Sequence, residues 1–147
     1  LDRAVLRIFL DANVLFSAAY SEQSTPGLLF ELAEACGAEL VATAFVIEEA
    51  RRNLALKRPG RLPHLARYVE RIALVREPTR REVSDATTHG LPAKDVPVLA
   101  AAIRCRANLL VTGDRTHFGH LFGTTPGGVR VGTVAMGLRA MLREEAE

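Results

Sequence analysis

The sequence of 147 residues contains no tryptophan, two tyrosines and two cysteines, and its aromatic content is 5%. Each scarcity excludes something. Cys36 and Cys105 are too few for a disulfide framework, and no Cys-x-x-Cys occurs to suggest a zinc or redox motif. A reducing, cytosolic location is the natural expectation. No apolar run reaches the roughly 18 residues of a membrane span, so no membrane association is expected. With so few aromatics, no base-stacking platform is evident, and a nucleic acid would have to be gripped by its phosphates and its shape. An excess of one charge sign is also missing. The 19 basic and 17 acidic residues leave a net charge of +2, which excludes both a polycation and an acidic disordered tail. No internal repeat, low-complexity tract or long linker interrupts the chain.

The residues that are present suit a folded domain. At 48% hydrophobic and 24% charged, the chain can bury a core and stay soluble. Its length is that of one domain, spanning 1–147. The charge is unevenly placed. Residues 1–50 carry 2 basic groups against 8 acidic ones, a balance of −6, and residues 51–81 carry 10 against 2, a balance of +8. Residues 82–147 carry 7 of each. This separation points to a polyanionic partner, against the plainer reading of a solvated basic helical face.

Apolar runs alternate with helical patterns. Val5–Leu10 reads as a strand ending at Asp11. Thr25-Pro26 starts a helix, with Thr25 as cap, that ends at Gly37. Leu40–Thr43 is a strand, Ala44–Lys57 a helix stopped by Pro59-Gly60, Leu62–Ile72 a further helix and Ala73–Arg76 a short strand. In Lys94–Cys105 the apolar residues Val96, Leu99, Ala100 and Ile103 follow helical spacing. Asn108–Thr112 and Val129–Val131 are strands, and Thr133 caps a last helix. The alternation predicts an α/β fold: a three-layer α/β/α sandwich with a mostly parallel central sheet of four or five strands. In such sheets ligands bind beyond the carboxyl ends of the strands.

Acidic residues occupy those positions. Asp11 and Asp114 follow predicted strands, and Asp95 stands at the start of a helix that feeds the second of them. Each alone fits a structural role as a cap or Asx-turn residue. Together, all three are expected to converge on one sheet edge. The Ala44–Lys57 helix offers a fourth acid. Val46, Ala50 and Leu54 form its apolar stripe; Glu49 lies at the edge of that stripe and Glu48 almost opposite, so Glu49 is the candidate. Carboxylates crowded in one cleft repel each other and take up protons unless a cation intervenes. Oxygen ligands without His or Cys favour Mg²⁺ or Mn²⁺ over zinc. Such a centre suits phosphodiester hydrolysis by a metal-activated water.

Four segments then match one family in order: Leu10-Asp11-Ala12-Asn13-Val14-Leu15, Glu49, Lys94-Asp95-Val96-Pro97-Val98-Leu99-Ala100-Ala101-Ala102, and Leu110-Val111-Thr112-Gly113-Asp114. The sequence resembles a PIN domain, and among PIN proteins the toxins of bacterial toxin–antitoxin systems, the VapC-like ribonucleases. The resemblance implies a Mg²⁺- or Mn²⁺-dependent endoribonuclease with Asp11, Glu49, Asp95 and Asp114 as catalytic and metal-holding acids, and Asn13 and Thr112 as supporting residues. It implies cleavage of RNA, a homodimer and a small antitoxin protein that enters the cleft. Family members often carry a further acid beside the third one. Here that neighbour is Lys94, which favours one bound ion over two.

Other signals are weaker. The basic block predicts RNA contacts at Arg51, Arg52, Arg58 and Arg61, and Arg115 beside Asp114 is a further candidate for a phosphate. His117 and His120 are spaced i, i+3 but lack the further ligands of a zinc site, and are expected in a substrate contact or a surface turn. His64 and His89 are expected at the surface, and Cys36, Cys105, Phe9, Phe16, Phe30 and Phe45 in the core. Two other readings compete. An aspartyl-nucleophile phosphatase would need Asp-x-Asp where this chain has Asp11-Ala12-Asn13. A catalytically inactive PIN-fold module binding RNA or protein would not need all four acids.

Overall fold

The computed structural model describes residues 5–143. The ends of the expected domain, 1–4 and 144–147, lie outside the described residues. The order of elements is β1 (Leu6–Leu10), α1 (Ala12–Tyr20), α2 (Thr25–Cys36), β2 (Ala38–Thr43), α3 (Ala44–Lys57), α4 (Leu62–Val69), β3 (Ala73–Val75), α5 (Arg80–Asp85), α6 (Val96–Arg104), β4 (Leu109–Val111), α7 (Arg115–Phe118), β5 (Arg130–Gly132) and α8 (Val134–Leu142). The five strands form one sheet in the order β3-β2-β1-β4-β5, and every pairing is parallel. The architecture is the predicted α/β fold with a parallel sheet between helices.

Parallel strands buried on both faces need apolar residues at every position rather than alternate ones. β1 and β4 meet that demand: Ile8, Phe9, Leu10, Leu110 and Val111 are fully buried. Each such side chain contributes roughly 1.5–3 kcal/mol by leaving water. The chain steps outward from β1 to β2 and β3, then returns to β4 on the other side of β1. Right-handed crossovers put the outward connections on one face and the returning ones on the other. The contacts agree: α1 packs on α2, α3 and α4, and α2 packs on α8, while α5 packs on α6. The direction of travel reverses between β1 and β4, which opens a crevice at their carboxyl ends.

Local chemistry sets the boundaries. Gly37 ends α2 in the left-handed conformation at φ 72°, donating to Ala33 and Glu34 carbonyls. The cap of α2 is Ser24, one residue before the expected Thr25, because Ser24 Oγ accepts from Gly27 N and Pro26 follows in the first turn. Thr43 caps α3 and Thr133 caps α8 through the same bond to the third amide onward. The helix after Leu62 stops at Val69 rather than running to Ile72, since a turn at 70–72 is needed to enter β3. Helix α5 is a short element that apolar periodicity does not announce. It is fixed by a reciprocal cap between Thr79 and Glu82, whose carboxylate also binds Arg104 on α6 at 2.7 Å. Among the described residues, no helix is long and apolar enough to cross a membrane.

Candidate active site

The crevice between β1 and β4 widens into a cleft of about 530 Å³, lined by Asp11, Asn13, Glu49, Asp95 and Asp114 among others. Asp11 leaves β1 and caps α1, so its carboxylate is held at the sheet edge with 7% exposure. Asp114 follows β4 and caps α7. Asp95 occupies the cap position of α6, yet its carboxylate caps no amide there. Glu49 reaches the cleft from α3, whose buried stripe is Val46, Ala50 and Leu54. Glu48, one residue earlier, is exposed and pairs with Arg51. All four acids singled out from the sequence thus face one cleft.

The closest network surrounds Asp11. Its Oδ1 accepts from Ala12 N at 2.8 Å, and its Oδ2 accepts from Thr112 Oγ1 at 2.8 Å and Asn13 Nδ2 at 3.2 Å. Thr112, fully buried at the end of β4, also accepts from Asp114 N at 3.1 Å. Asn13 Oδ1 accepts from Gly113 N at 2.8 Å. The two strand ends are therefore stitched together through side chains that aim Asp11 at the cleft. Position 13, where an aspartyl phosphatase needs an acid, holds an amide committed to this network.

The electrostatics are those of crowded acids. Burial pushes the Asp11 carboxyl above the ordinary aspartate range; the bonds from Thr112 and Ala12 pull it back, and the charges of Glu49 and Asp95 raise it further. Asp95 is also raised, chiefly by burial and to a lesser degree by Asp114, against the lowering influence of His117 and Lys94. Removing water from several carboxylates is costly unless a cation shares the site.

His117, expected in a substrate contact or a surface turn, stands among the acids. Its Nδ1 stands 3.0 Å from Asp95 Oδ2 and 2.8 Å from Asp114 Oδ2. Asp95 Oδ2 and His117 Nδ1 are buried, and beyond these close contacts neither has a further partner. The three residues form a cluster whose donor atoms lie within 4.8 Å of one another. Donor atoms crowded this closely, two of them buried, fit a bound cation, and the donor set is carboxylate-rich with one imidazole. The signal for His117 was its spacing from Asp114: i, i+3 puts both on one face of a helical turn. His120 instead binds the His89 carbonyl at 2.8 Å.

The basic residues separate into two groups. Arg52, Lys57 and Lys94 line the cleft. Arg58 and Arg61 bind the carbonyls of Tyr20 and Ala19 at the end of α1, and Arg58 also lies over the Tyr20 ring. Arg115 is exposed on α7. Phe45 was expected in the core and is not there. It is 51% exposed at the first turn of α3 and lines the cleft, with its amide bound to Glu77 at 2.9 Å. Position in the first helical turn, ahead of the buried stripe, turns the ring outward. Phe9 and Phe30 are buried, and Phe16, Cys36 and Cys105 are half-buried against the core.

A family model described as "PIN domain" matches residues 7–116 of this chain. No curated protein matches it. The structure is similar to that of PAE2754 from Pyrobaculum aerophilum, with a TM-score of 0.63 and 19% identity over 97% of each chain. It is also similar to VapBC2 from Rickettsia felis, solved bound to a DNA fragment from its promoter, with a TM-score of 0.66 and 15% identity over 86% of this chain and 98% of that one.

Proposed function

The chain belongs to the PIN-domain family, and from that membership we propose that it is a divalent-metal-dependent endoribonuclease, the toxin of a toxin–antitoxin pair acting in the cytoplasm. The observation that carries the reading is the convergence of Asp11, Glu49, Asp95 and Asp114 on one cleft at the point where the sheet order reverses.

Asp95 and Asp114 would hold the ion, Asp11 would reach it through a bound water, and Glu49 would complete the set or serve as the base. When bound, a Mg²⁺ or Mn²⁺ ion supplies the Lewis acidity that phosphodiester hydrolysis needs. Thr112 and Asn13 fix the angle of the Asp11 carboxylate, as residues behind a metal ligand commonly do. With Lys94 beside Asp95, the charge in the cleft suits one ion. Arg52, Lys57 and Lys94 at its walls offer cations to the phosphates of an RNA strand. The likeness to VapBC2 supports a small antitoxin as partner, and a homodimer is proposed on the family resemblance.

The test is RNA cleavage by the purified protein in Mn²⁺. Asp11→Asn and Asp114→Asn each weaken metal binding about 10–100-fold or more, and cleavage falls with it. Variants that cut RNA at the wild-type rate would remove the basis of the proposal.

A further inference from the structure

We propose that His117 is a nitrogen ligand of the metal centre, standing beside Asp95 and Asp114, and that it biases the site toward Mn²⁺ over Mg²⁺. The inference rests on the metal-dependent reading above and adds a residue that the four-acid pattern does not contain.

The geometry is that of ligands around a shared ion. Two donors about 2.1 Å from a cation on adjacent octahedral vertices stand about 3.0 Å apart. His117 Nδ1 lies 3.0 Å from Asp95 Oδ2 and 2.8 Å from Asp114 Oδ2. A ring held by an ordinary hydrogen bond points its N–H at one acceptor. Here Nδ1 lies between two carboxylate oxygens, one from the start of α6 and one from the start of α7, at nearly equal distances. Asp95 has given up the usual role of its position, since its carboxylate caps nothing on α6.

The backbone places the ring. Asp114 Oδ1 accepts from His117 N at 3.1 Å, closing the first turn of α7 and bringing the imidazole over the other carboxylate oxygen. A neutral imidazole protonated on Nε2 presents the Nδ1 lone pair to that point. The donor type then selects the ion. Mg²⁺ prefers oxygen ligands and keeps its waters, whereas first-row transition ions accept imidazole more readily.

The test is pulsed electron paramagnetic resonance on the Mn²⁺-loaded protein, with Asp114→Asn as the control that locates the ion. The expected spectrum shows a directly bound ¹⁴N coupling, absent in His117→Gln. In competition titrations, His117→Gln weakens Mn²⁺ binding about tenfold or more and Mg²⁺ binding less than about twofold. Carboxylate-dependent Mn²⁺ binding without the nitrogen coupling overturns this inference and leaves the proposed nuclease intact. Loss of carboxylate-dependent binding altogether overturns both. An unchanged Mn²⁺-to-Mg²⁺ ratio in a folded His117→Gln protein overturns the selectivity.

Discussion

Thr112 Oγ1 donates to Asp11 Oδ2 at 2.8 Å, joining the end of β4 to the end of β1 through two buried side chains. Replacing Thr112 with valine keeps the shape and removes the donor. Asp11 Oδ2 then keeps only the longer bond from Asn13. Thr112→Val is expected to destabilise the protein by about 1–3 kcal/mol, the cost of leaving a buried acceptor short of a partner. Urea unfolding of the two proteins measures it. Metal affinity should fall as well, because the carboxylate loses its orientation.

The acids of the cleft predict an unusual pH dependence in metal-free buffer. Burial raises Asp11 and Asp95 above their unfolded values. A carboxyl raised on folding binds its proton more tightly in the native state, so its stabilising effect is complete below the unfolded pKa. That effect is lost as pH rises through the folded value. Stability of the metal-free protein is therefore expected to fall as pH climbs above the ordinary aspartate range. Asp11→Asn should flatten the fall, and added Mn²⁺ should restore stability near neutrality. Thermal melts across pH, with chelator and with Mn²⁺, check both. A metal-free protein that gains stability over the same range contradicts the account.

The cationic residues around the cleft should separate by function. Arg52 and Lys94 line the cleft, so Arg52→Glu and Lys94→Glu are expected to weaken RNA binding. Each lost phosphate contact lowers the salt slope by about 0.7 for a single strand. Arg61 binds the Ala19 carbonyl at the end of α1 at 2.7 Å. Arg61→Ala is expected to cost about 1 kcal/mol of stability through that bond. Binding titrations at several salt concentrations, beside denaturant unfolding, distinguish the two groups.

Much of this arrangement was legible in the sequence because it depends on local rules. The strands around Phe9 and Leu110 are continuous apolar runs, and α3 over Ala44–Lys57 announces itself by its stripe and its Pro59-Gly60 stop. Glu49 was separable from Glu48 because a helix gives each position a fixed direction. What stayed hidden depends on contacts between distant segments. His117 meets Asp95 only because α6 and α7 begin at the same sheet edge. Phe45 faces outward because β2 hands over to α3 at Thr43, leaving the first turn of the helix outside the core. Helix α5 has too few apolar residues for periodicity to register, and its signature lies in the Thr79–Glu82 pair.

The central claim is that Asp11, Glu49, Asp95 and Asp114 form one metal centre. Anomalous diffraction from crystals soaked in Mn²⁺ tests it most directly. The account predicts a Mn²⁺ peak among these four acids, bonded to Asp114 and Asp95, and absent from Asp114→Asn crystals. Mn²⁺ density elsewhere on the molecule, with the cleft containing water alone, would contradict it.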